Sequence, residues 1–151
     1  TGTNNTSLGR YSGGAQNAST GNYNTSLGNG AGSFLTTGSS NVFVGMESGL
    51  ANTTGSTNVA AGSASLKSNT TGNNNVAIGT QALTISITGA NNTAVGHQAG
   101  YGNTTNSNST YIGYAAGFAT TTASGVGVTL LDQMRVWLIQ LATTMLLVLT
   151  H

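Results

Sequence analysis

Residues 74–82, with the sequence NNVAIGTQA, and residues 91–99, with the sequence NNTAVGHQA, decide the fold of this chain. They start 17 residues apart and share an asparagine pair, an alternating segment, a glycine and an alanine. Outward from them, the segment recurs before seven glycines, whose steps are 19 and then 17 five times. Because stacked coils of equal length impose such a step, the sequence predicts an all-β parallel solenoid of 17-residue coils. These glycines are Gly9, Gly28, Gly45, Gly62, Gly79, Gly96 and Gly113.

The composition excludes several classes of function. The 151 residues include 23 glycines but no cysteine, so neither a disulfide framework nor a thiolate metal site is expected. Only 3% of the residues are charged and the net charge is +1, which gives no electrostatic footprint for nucleic acid. Polar, glycine-rich chains are often disordered, but a regular step favours a solenoid, whose narrow core needs few apolar positions.

The apolar triplet before each glycine predicts a short strand. Its first and third residues share one side of the strand, and we expect them to point inward because they are mostly aliphatic. These pairs are Val42/Val44, Val59/Ala61, Val76/Ile78, Thr93/Val95 and Thr110/Ile112. The residues between them are expected to face the other way: Phe43, Ala60, Ala77, Ala94 and Tyr111.

Further columns recur at the same step. A small residue three positions after each glycine predicts a crowded site, either inside the coil or against a neighbouring chain: Ala31, Ser48, Ser65, Ala82, Ala99 and Ala116. An asparagine before each strand predicts a ladder of side-chain amides along the axis: Asn24, Asn41, Asn58, Asn75 and Asn92, followed by Ser109. A second glycine column, Gly38, Gly55, Gly72 and Gly89, indicates a second turn.

No catalytic, cofactor or metal site is expected. The ionisable side chains in the repeats that could do chemistry are Glu47 and His97, which lie three coils apart. At about 4.8 Å per coil this separates them by roughly 14 Å, which is beyond hydrogen-bond reach for an acid–base pair. His97 is interpreted as a solvent-facing or interface residue, and the chain is not expected to be an enzyme.

A threonine ladder is the candidate surface for a ligand, either ice or a glycan. The alternative interpretation is a structural ladder at a coil corner, because each threonine adjoins a glycine turn instead of forming a Thr-x-Thr pair. The ladder consists of Thr20, Thr37, Thr54, Thr71, Thr88, Thr105 and Thr122. The aromatic residues Tyr101, Tyr111, Tyr114 and Phe118 are further candidates for contacting a ligand.

Residues 74–82 and 91–99 resemble the YadA-like head repeat of trimeric autotransporter adhesins. They are similar also to its asparagine-rich variant in bacteriophage fibres and bacterial surface proteins. The resemblance covers roughly residues 4–125, although the coil of 17 residues is longer than that of the commoner adhesin head. It implies a left-handed β-roll, a homotrimer, a structural or adhesive role in a surface adhesin or phage tail fibre, and an extracellular place on a cell surface or virion. A host-surface receptor or a glycan is the implied partner.

The last part of the chain departs from the repeat. We therefore divide the sequence into a repeat domain at residues 1–125 and a non-repeat tail at residues 126–151. The tail's apolar stretch at residues 136–149 is shorter than the roughly 20 residues that a membrane-spanning helix needs. No membrane span is therefore expected.

The tail has two competing interpretations. Permitted codons for residues 140–146, read one frame away, give Thr-Gly-Asn-Asn-Asn-Val, the string at residues 71–76. Residues 131–135 likewise give Gly-Ser-Asn-Ala, so our hypothesis is a frameshift: an out-of-frame reading of further repeats. The alternative is an amphipathic capping helix with one apolar face: Leu131, Met134, Leu138, Leu141 and Met145.

Overall fold

The computed structural model describes residues 2–14, 19–119 and 129–131. These residues form one sheet of eight parallel strands, and each strand pairs with the next along the chain. No helix occurs in this part of the chain, and the prediction of an all-β parallel solenoid is confirmed. The strands are β1 Thr6–Leu8, β2 Thr25–Leu27, β3 Val42–Val44, β4 Val59–Ala61, β5 Val76–Ile78, β6 Thr93–Val95, β7 Thr110–Ile112 and β8 Thr129–Leu131.

The register stacks like residues on one another. Val42 pairs with Val59, and Val59 pairs in turn with Val76. Backbone bonds continue the ladder around the coil, as between the Val59 amide and the Asn75 carbonyl at 2.8 Å. Each coil is therefore held to the next along its whole path, as the equal step predicts.

The sheet extends past residue 125, where the repeat was predicted to end. β8 pairs in register with β7, so Thr129 lies opposite Thr110 and Leu131 lies opposite Ile112. The helix interpretation of the tail is wrong for Leu131, because that residue ends a strand. The remaining residues of that helix and the frameshift hypothesis lie outside the described residues.

The predicted direction of the strand side chains is wrong. The middle residue of the strand points into the coil, and Phe43 and Ala77 are 0% exposed, whereas Val44 is 38% exposed. The physical reason lies one residue before the strand, where Asn41 is fully buried. Because side chains alternate along a strand, an inward asparagine turns the next residue outward and the middle residue inward. The buried amide column, not the aliphatic column, sets the phase.

The interior alternates large and small side chains between two columns. Phe43 in the strand is matched by Gly49, six residues later, where a Cβ would collide with the phenyl ring. Tyr111 is matched by Gly117 in the same way. In the coil of Ala60 the bulk is on the other column, where Leu66 is fully buried. The small column predicted from sequence lies inside the coil, because its members from Ala31 to Ala116 are all buried.

The predicted asparagine ladder is confirmed. The Asn58 side-chain oxygen accepts hydrogen bonds from the Asn75 backbone amide at 2.9 Å and from its side-chain amide at 3.1 Å. The Asn58 side-chain amide donates to the Gly72 carbonyl at 2.9 Å. Each buried amide thus joins its own coil to the next and closes the turn, which satisfies polar groups that would otherwise be costly to bury.

A second buried asparagine column was missed in the sequence. Asn52, Asn69 and Asn103 are fully buried, and the Asn69 side-chain amide donates to the Asn52 side-chain oxygen at 2.6 Å. The recurring Asn-Thr-Thr string carried the signal, but we attributed it to composition. These asparagines bond to the carbonyls of Gly55, Gly72 and Asn106, three residues later.

Candidate interaction surface

The outward side of the sheet is the most distinctive surface of the described chain. We call it the outer strand face and define it by three columns: the first and third residues of each strand, and the residue after the strand-ending glycine. The third column belongs with the other two because the alternation continues through the glycine. In β3 to β7 its members are Val42, Val44, Met46, Val59, Ala61, Ser63, Val76, Ile78, Thr80, Thr93, Val95, His97, Thr110, Ile112 and Tyr114.

This face exposes aliphatic side chains that nothing in the described chain covers. Ile78 is 42% exposed and Ile112 is 44% exposed, while Met46 and Tyr114 reach 56% and 63%. Spacings of about 4.8 Å between strands and about 6.7 Å between alternate residues give a face roughly 34 Å long and 13 Å wide. On the order of 450 Å², it matches the largest apolar patches of monomers, which are often functional.

The face is most apolar at its centre. β3, β4 and β5 carry valine in the first column, whereas β1, β2, β6, β7 and β8 carry threonine there. Ala61 is the one small residue in the third-position column of the eight strands. Formal charge on the face, over the residues described, is limited to Arg10 at one end, where it lies 4.4 Å from the Tyr11 ring centroid.

The predicted threonine ladder is aligned and exposed over the described coils. Its six members from Thr20 to Thr105 are all exposed, and Thr122 lies outside the described residues. The preceding column is fixed in the structure, because the Thr36 and Thr53 hydroxyls each donate to the carbonyl of the residue 17 positions later at 2.9 Å. The exposed threonines thus form one column beside a glycine turn.

The aromatic candidates separate into two groups. Tyr111 is fully buried in the core, so the expectation that it contacts a ligand is wrong. Tyr101 stacks on Phe118 with ring centroids 5.0 Å apart, and His97 stacks on Tyr114 at 5.4 Å. The predicted interpretation of His97 as a solvent-facing residue fits its exposure in the described chain.

The charged residues make no catalytic arrangement in the part of the chain that is described. Glu47 forms a 2.7 Å ion pair with Lys67, and both side chains are more than a third exposed. Solvent screens such a pair, so it adds little to stability. Across residues 2–14, 19–119 and 129–131, no group of three His, Cys, Asp or Glu side chains could hold a metal ion.

Comparison of the chain with protein-family models, with curated proteins and with solved structures gives no match. The surface must therefore be interpreted from its own chemistry. Among the described residues, no helix has both the length and the apolar character that crossing a bilayer requires.

Proposed function

We propose that this chain is a non-catalytic structural or adhesive segment of a surface adhesin or phage tail fibre, and that it assembles as a homotrimer through the outer strand face. The observation that carries the proposal is the row of exposed aliphatic side chains on a sheet that its own chain leaves uncovered. Burying apolar area at about 25 cal/mol per Å² drives association.

A second copy of the chain suits this face because its side chains have the same spacing along the axis. A partner that packs between aliphatic rows repeating at about 4.8 Å must repeat at that distance too, and an identical solenoid does so in every layer. With Arg10 as the one formal charge among the described residues of the face, copies meet little repulsion.

The interior suits a stiff spacer. Two buried amide columns and a continuous backbone ladder tie each coil to the next, so bending the axis would break several hydrogen bonds at once. Such a rod would present a receptor-binding region, recognising a host-surface receptor or a glycan, from an extracellular cell surface or a virion. It needs no cofactor and no chemistry of its own.

Sedimentation equilibrium tests the assembly. We expect a mass near three times the 15.0 kDa of one chain. Ile78→Lys places a charge on the outer strand face and should leave a folded single chain. Thr71→Lys, an equally exposed change at the threonine corner, should leave the assembly intact. A wild-type chain that sediments at 15.0 kDa, or an Ile78→Lys variant that assembles normally, would refute the proposal.

The threonine ladder supports a second candidate function, a ligand-binding face for ice or a glycan. The favouring observation is that all six described members are exposed and aligned at one coil step. Thermal hysteresis and a glycan array would detect the two ligands. Thr54→Tyr with Thr71→Tyr should abolish either signal, whereas a plain shaft gives neither.

A further inference from the structure

His97 is the one histidine among the described residues, and it lies on the outer strand face. It follows β6 in the third column of that face, where Val95 and Gly96 precede it. Its ring stacks on Tyr114 of the next coil at 5.4 Å with the planes 19° apart. The stack fixes the imidazole against the face instead of leaving it free in solvent.

The surroundings of His97 contain no compensating negative charge in the described chain. Tyr114 follows it in the column and Thr80 precedes it, and neither is acidic. The one described carboxylate is Glu47, three coils away and paired with Lys67. Arg10 lies five coils away in the same column, and Asp132 and His151 lie outside the described residues. An imidazolium at position 97 would therefore have no described counter-ion.

Assembly changes the energetics of that charge. Copies that pack in parallel and in register place their His97 side chains at the same height along the axis. Protonation then brings like charges together and buries them without a partner, and both effects oppose association. Histidine is the side chain whose charge ordinarily changes between about pH 5 and 8.

We propose that His97 makes self-association through the outer strand face pH-dependent, so that the assembly forms with neutral imidazoles and loosens when they are protonated. This inference rests on the proposed assembly of the chain. It also specifies that assembly further, since copies packed antiparallel would not bring their His97 side chains to one level.

The test is the association constant of the full chain at pH 8.0 and at pH 5.5, measured by sedimentation at constant ionic strength. Carboxylates ordinarily titrate near pH 4 and stay ionised over this window, so imidazoles dominate the change. We expect association at least about tenfold weaker at pH 5.5, which corresponds to about 1.4 kcal/mol. Circular dichroism at both pH values would show whether the coil itself stays folded.

Three variants assign the effect. His97→Gln removes the titrating group and should assemble equally at both pH values, which also separates His97 from His151. His97→Lys carries a permanent charge and should associate weakly even at pH 8.0. Glu47→Gln should retain the wild-type pH dependence, because the Glu47–Lys67 pair lies outside this face.

The outcomes separate this inference from the proposed function. A chain that remains at 15.0 kDa at pH 8.0 would overturn the assembly and the switch together. A chain that assembles equally at both pH values, or a His97→Gln variant that keeps the full pH dependence, would overturn the switch and leave the assembly standing.

Discussion

The two sides of the strands follow different rules. The inner side carries the middle residue of each strand, which is serine, alanine or one of two aromatic residues, and from Ser26 to Tyr111 it is 0% exposed. The outer side carries valine, isoleucine and leucine, and much of it is exposed. In a coil this narrow, volume and polar satisfaction decide what lies inside, so the more hydrophobic column is left outside for another molecule to cover.

The largest expected effect of breaking this contrast is the loss of the Phe43 ring. Phe43→Ala should lower the free energy of unfolding by about 3–5 kcal/mol, because Gly32 and Gly49 beside the ring cannot fill the cavity. Val44→Ala, one residue along and on the outer side, should cost a folded single chain less than about 1 kcal/mol. Guanidinium chloride denaturation at low protein concentration measures both, and equal losses would contradict the assigned directions.

The same contrast extends to asparagines in one coil. Asn58→Ala should cost about 2–4 kcal/mol, because it leaves the Asn75 amide and the Gly72 carbonyl buried without this partner. Asn74→Ala removes an exposed amide and should cost less than about 0.5 kcal/mol. Denaturation of the two variants side by side is the measurement; a cheap Asn58→Ala change would mean that the ladder is dispensable.

The strand phase shows where sequence reasoning reached its limit. The equal step predicted the stacking, and the asparagine column predicted its own ladder, because both depend only on like residues meeting in successive layers. The direction of Val42 and Val44 did not follow, since hydrophobicity favours burial while the inward Asn41 dictates the opposite phase. The outer strand face was therefore not foreseen as a surface, and Tyr111 was mistaken for an exposed residue.

A swap between the two inner columns would sharpen the account of the core. Ala60→Phe alone should cost about 1–3 kcal/mol through overpacking, because Leu66 already supplies the bulk in that coil. Adding Leu66→Gly restores the arrangement of Phe43 and Gly49, and Leu66 has a φ of 50°, which glycine accepts readily. We expect a favourable coupling of about 1–3 kcal/mol in the double-mutant cycle. Simple additivity would show that the two columns do not compensate.

The smallest effect is expected at the one hydroxyl that the inner aromatic residues carry. The Tyr111 hydroxyl is buried and has no hydrogen-bond partner among the described residues, whereas Phe43 fills the equivalent place without one. Tyr111→Phe should therefore leave stability unchanged or raise it by up to about 1 kcal/mol. Thermal unfolding would detect the shift, and a clear loss of stability would indicate that the hydroxyl has a partner.

The most direct test of the two sides is thiol labelling, because the chain has no cysteine of its own. Single cysteines at Ala77 and at Ile78 would be labelled in chains kept apart by Val44→Lys, and then in the wild-type background. We predict that the cysteine at position 77 is protected in both backgrounds. The cysteine at position 78 should react rapidly in separated chains and slowly in assembled ones. A reactive cysteine at position 77 with a protected one at position 78 in separated chains would contradict the outward face and the assembly built on it.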